Sequence, residues 1–165
     1  MLDRNQFLAA LERETQICKH LHTKVKPEML DYAPGPGSRN TLDLMRYIGV
    51  CACAPTAAVV ANDWSGVREY QQRADTMSAD EFPARLDAQL EDIRRQLGTV
   101  SDEDLRTRDT TLPWGETTPM GAALVNTSLA FLTAYRLQLF NHIKASGAPQ
   151  LNTYNAWGGI DPPTS

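Results

Sequence analysis

Between Arg4 and Val25 the apolar positions Phe7, Leu8, Leu11, Ile17, Cys18, Leu21 and Val25 recur at helical spacing. They mark one face of an amphipathic helix, and Pro27 ends or kinks it. The stretch Tyr32-Ala33-Pro34-Gly35-Pro36-Gly37-Ser38 excludes regular structure, because its prolines and glycines interrupt any period. Ser38 or Asn40 then caps a second helix, about Thr41 to Ala61. Gly49, Ala52, Ala54, Ala57, Ala58 and Ala61 make it rich in small side chains, which permit close helix–helix approach at the centre of a bundle. Pro55 lies inside it and predicts a kink.

Asn62 to Met77 is polar, contains Trp64, and reads as a connection. Ser78-Ala79-Asp80-Glu81 forms a capping box for a third helix reaching about Leu97, with Phe82, Leu86, Leu90, Ile93 and Leu97 on one face and Gly98 as its stop. Residues 101–117 mix threonine, charge and turn formers around Leu112-Pro113-Trp114-Gly115, which predicts a short hairpin or ordered loop and no helix. Asp102, Glu103 and Asp104 read as a solvated capping cluster. Thr118-Pro119 starts a fourth helix that runs to about Ser146 and stops at Gly147. The pattern is all-α: a four-helix bundle, up-down in sense, with a long crossover between helices two and three. It forms a single domain over 1–165, with 150–165 as an extended C-terminal tail packed on the body.

A length of 165 residues suits one core. The net charge is −4 and the basic residues are dispersed, which argues against a nucleic-acid groove. No stretch is expected to reach the ~20 apolar residues of a membrane span, and no signal-peptide core follows the polar start at Met1. Three cysteines fit free thiols, and a cytoplasmic location is expected.

The segment Leu129-Ala130-Phe131-Leu132-Thr133-Ala134-Tyr135-Arg136-Leu137-Gln138-Leu139 resembles the DinB-like (damage-inducible) family, whose fourth helix usually reads His, three residues, His, Arg, one residue, Gln. Here Arg136 and Gln138 match that pattern. The Pro/Gly turn before Thr41, the Leu112-Pro113-Trp114-Gly115 loop and the ending Ser146-Gly147-Ala148-Pro149 match in the same order. The resemblance implies a DinB-like bundle, a homodimer, and a divalent metal such as zinc or nickel held by three histidines, one on helix two and two on helix four.

At those positions this chain carries Tyr47, Phe131 and Tyr135. Phenylalanine has no lone pair and a neutral phenol is a poor ligand for an ordinary divalent ion, so no metal cofactor is expected there. The aromatics either fill the core or wall a pocket for an unknown small molecule, with Asn126 and Gln138 as hydrogen-bond partners. Arg136 and Gln138 either bind an anion, or Arg136 pairs with Asp43 or Glu14 and orders the helices. A relocated metal site drawn from Cys18, His22 and His142 is the alternative, and it would serve a thiol transferase-like enzyme of the family's type. Cys51-Ala52-Cys53 is not a redox motif, since helical geometry turns its sulfurs to opposite sides. These alternatives leave enzymatic activity undecided. The favoured reading is a metal-free member that binds a small ligand or acts as a stress-related accessory protein.

Overall fold

The computed structural model describes residues 3–163. Helix α1 (Arg4–His22) starts at Asp3, whose carboxylate accepts the Gln6 N–H while the Gln6 side chain accepts the Asp3 N–H, a complete capping box. The second helix is broken in two, α2 (Thr41–Ile48) and α3 (Cys53–Ala61), and Asn40 caps its start. Helix α5 (Phe82–Leu97) follows the expected box at Ser78 and Glu81. The fourth helix comprises α7 (Met120–Leu124), a π-helical turn over Val125–Leu129, and α8 (Ala130–Ser146), which stops at Gly147 as expected.

These four rods form a closed ring in which α1 touches α5 and α8, while α2 and α3 touch α8 and α5. Lys19 pairs with Asp87 and Glu12 with Arg94, so α1 and α5 are antiparallel. Arg85 reaches Gly49 and Gln89 reaches Ala52, so the broken helix and α5 run in the same direction. A chain linking two parallel rods must travel back along the bundle, which is why the crossover is long.

That crossover is not the unstructured connection its composition suggested. It holds a short helix, α4 (Val67–Ala74), whose contacts with α2 and α3 outweigh its polar sequence. Residues 101–117 also differ from expectation. Ser101 and Asp104 cap each other and start α6 (Asp102–Thr107), and only then comes the hairpin of β1 (Asp109–Thr111) and β2 (Thr117–Pro119). The strands are antiparallel, with Thr110 opposite Thr118. Asn62, left-handed at the end of α3, accepts from Thr110 and from the Thr111 N–H and fastens the hairpin to the bundle. The tail packs on α1, but it winds into a π-helical turn over Tyr154–Gly158 and is not extended.

One expectation fails on composition. Thr41–Ala61 is long and apolar enough to cross a membrane, with mean hydropathy 1.6 in its best window. That window is 72% buried inside the bundle, the mark of a core helix.

The break in this helix has a clear cause. Pro55 offers no N–H to Cys51 and its ring crowds the preceding turn. The buried Gln89 of α5 takes up other backbone groups freed at the break: its Oε1 accepts the N–H groups of Ala52 (3.0 Å) and Cys53 (3.3 Å), and its Nε2 donates to the Ile48 carbonyl (3.0 Å). Arg85 Nε donates to the Gly49 carbonyl at 3.0 Å. Replacing Gln89 with leucine strands these buried backbone groups. The substitution should cost about 2–4 kcal/mol in urea unfolding; a loss under about 0.5 kcal/mol would show that the clasp is dispensable.

Candidate functional site

The break decides where the aromatic residues lie. Tyr47 is in the last turn of α2, and Val50, Cys51, Ala54 and Pro55 follow across the interruption. Together with Trp64, Val67, Gln71 and Phe131 they enclose a void of about 40 Å³, enough for a single water by volume. On the outer side of Tyr47 a cleft of about 370 Å³ is lined by Arg39, Asp43, Arg46, Val50, Gln71 and Asp75. Tyr47, Val50 and Gln71 border both spaces and form the wall between them.

Tyr47 and Tyr135 meet edge to face, with ring centroids 4.7 Å apart at 74°. The Arg39 guanidinium lies over Tyr47 at 4.1 Å from its centroid and 5.9 Å from that of Tyr135. This is a cation–π arrangement, which such distances favour. Burial pushes the Tyr47 phenol up to about 12, and the neighbouring Tyr135 adds to the rise. Tyr47 is therefore a neutral hydrogen-bonding group near pH 7, unfit as a base or an anionic ligand. Asp43 is committed to Arg46 at 3.0 Å, and Arg46 Nε donates to the Met77 carbonyl.

The structure thus brings Tyr47, Phe131 and Tyr135 to one end of α2 and α8, each of them half-buried. Other predicted partners lie elsewhere. Asn126 is exposed and borders a separate apolar cleft with Phe7, Leu105 and Leu124. Gln138 is half-buried and forms no side-chain hydrogen bond among the described residues.

Arg136 faces the opposite side of α8. It is fully buried; its Nε donates to Glu14 at 2.5 Å, Nη1 donates to the Ala156 carbonyl, and the guanidinium stands 4.6 Å from the Trp157 ring. Of the alternatives raised for Arg136, helix ordering through Glu14 is the one observed, and the anion-binding alternative falls because the guanidinium is enclosed by protein. Losing Glu14 alone would leave a buried, uncompensated charge.

Cys18, His22 and His142 are not brought together. Cys18 is buried beside Arg136 and Glu14, and burial raises its thiol pKa strongly. His22 Nε2 is 2.9 Å from the Ala79 carbonyl, while His142 is buried against Thr41 and Tyr32. Desolvation lowers the His142 pKa. No group of three His, Cys, Asp or Glu side chains is placed to hold a metal among the described residues. The relocated site fails because the three side chains lie against different neighbours and do not converge. Cys51 lines the void while Cys53 turns toward Arg85, and burial raises both thiols, Cys53 to about 11. Neither is a ready thiolate.

Arg39, Trp64 and Gln71 were missed from the sequence. Arg39 follows a Pro/Gly turn and carries no spacing signal; Trp64 and Gln71 reach the site only because the crossover folds over α2 and α3.

Two outcomes are expected for these residues. Glu14→Ala should lose roughly 3–5 kcal/mol in denaturant unfolding, and most of that should return when Arg136→Met is added. Equal losses in single and double variants would deny the pairing its role. Tyr135→Ala, at a half-buried position against Tyr47, should cost under ~2 kcal/mol, well below the roughly 3–5 kcal/mol of an enclosed aromatic. A thermal melt showing the larger loss would make Tyr135 part of the core.

No family model matches the sequence, and no curated protein matches it either. Among solved structures, a DinB-like protein of Bacillus subtilis, YjoA, is similar, with a TM-score of 0.67 at 15% identity. The match covers 86% of this chain and 92% of that one.

Proposed function

From a DinB-like fold as premise, we propose that this protein is a metal-independent member of that fold and binds a small organic ligand in the cleft beside Tyr47. The observation that carries this is the Arg39 guanidinium over the Tyr47 ring, both lining a cleft of about 370 Å³, with Tyr135 packed edge to face on Tyr47. Its size falls within the roughly 300–1,000 Å³ of small-molecule sites; Tyr47 and Val50 give it one apolar side, and Arg39, Asp43, Arg46, Gln71 and Asp75 make the rest polar.

The residues at the positions matching the family's metal ligands do not fit a divalent ion. Phe131 offers no donor atom, and the Tyr47 phenol keeps its proton far above neutral pH. An ion would also meet the guanidinium of Arg39 across the tyrosine pair, an unfavourable neighbour for a cation. A role as a stress-related accessory protein is compatible with this reading and adds no chemistry to it.

Elemental analysis tests the metal-independent part. Protein incubated with zinc, nickel or manganese, then desalted, should carry no more metal than an EDTA-treated control. Stoichiometric metal would overturn the reading. Tyr47→His, Phe131→His and Tyr135→His combined should gain divalent-ion affinity by calorimetry, because three imidazoles would then converge at one bundle end. A folded triple variant that remains unable to bind would show that these positions do not form one site.

A further inference from the structure

Resting on the ligand cleft proposed above, we infer that its occupant is a monocarboxylate with a flat apolar body, the carboxylate held by Arg39 and the body laid against Tyr47 and Val50.

The argument begins with what Arg39 does not do. Among the described residues its side chain makes no hydrogen bond and no ion pair, although it stands over two aromatic rings. The neighbouring arginine differs: Arg46 is committed to the Met77 carbonyl and to Asp43. A guanidinium stacked on a ring keeps its N–H groups directed outward in its own plane, in the fork that suits a carboxylate. The tyrosine faces also hold it in place before a ligand arrives, so less rotamer freedom remains to be lost on binding.

Charge around the cleft narrows the ligand further. Arg39 and Arg46 face Asp43 and Asp75 across the same space, so the formal charges of these four groups cancel. A dianion gains little from such a lining and meets the Asp75 carboxylate, which has no ion-pair partner among the described residues. A single compact negative charge at Arg39 meets less of that repulsion. The wall supplies the apolar half of the match: Tyr47 and Val50 border the cleft, with Phe131, Trp64 and Val67 behind them. Gln71, shared by both spaces, offers an amide to a polar substituent on the body.

The test uses phenyl compounds that carry different heads. The full chain, labelled with ¹⁵N, is titrated by two-dimensional NMR with 3-phenylpropionate, 3-phenylpropionamide, 3-phenylpropylamine and phenyl phosphate. 3-Phenylpropionate should move the amide signals of Arg39, Tyr47, Val50 and Gln71 and bind about fivefold or more tightly than its amide. Arg39→Ala should abolish that advantage and Arg39→Lys should keep part of it. Arg39 is exposed, so both variants should fold, which the same spectra verify. Equal binding of the amide or the amine would sink the carboxylate assignment while leaving the ligand cleft standing, and so would an Arg39→Ala variant with the carboxylate preference intact. Tighter binding of phenyl phosphate would overturn the monoanion assignment. If no probe moved those signals, the cleft reading would fall together with this one.

Discussion

The amide of Gln89 holds three backbone groups at the break between α2 and α3, and the shape of the site follows from that repair. A proline inside a buried helix leaves a carbonyl without its partner and displaces the turn before it. Buried polar groups left in that state would be costly. With the neighbouring Ile48 carbonyl and the Ala52 and Cys53 N–H groups held by a side chain from α5, the helix changes course while staying in the core. The small void opens at this point, lined by residues from Tyr47 to Pro55, and Tyr47 becomes the partition between void and cleft.

Arg136 does comparable work on the other side of α8. Its guanidinium joins α1 through Glu14 and the tail through the Ala156 carbonyl. Arg13 adds a bond to the Trp157 carbonyl, and Asn155 reaches His20 and Asp161. The π-helical turn of the tail is thereby fixed to α1 by polar contacts. Arg136 and Tyr135 are adjacent in sequence but point to different faces, one ordering the bundle and one packing on Tyr47. That division separates the Arg-Gln motif from the aromatic site.

The long helices were legible because their apolar residues repeat with the helical period and, beyond the first, their ends carry recognisable caps: Asn40, Ser78 with Glu81, and Gly147. The short elements were not. Helix α4 has a polar sequence and only Ala74 is buried within it, so periodicity had little to register. Helix α6 is six residues long, shorter than any window in which a period shows. The tail offered no period either, because its turn is held by Arg136, Arg13 and His20 from outside its local sequence.

By itself the sequence determined an all-α bundle and the caps at Asn40, Ser78 with Glu81, and Gly147, and the family resemblance pointed to Tyr47, Phe131 and Tyr135. Tertiary structure alone decided what surrounds them. The parallel course of α3 and α5, the fold of the crossover that delivers Gln71 and Trp64, and the position of Arg39 over two rings depend on contacts between distant segments. Local preference fixes the direction of a side chain on its own helix. Which neighbour it meets, and whether a guanidinium is spent on a carboxylate or left for a ligand, is settled only when the helices pack.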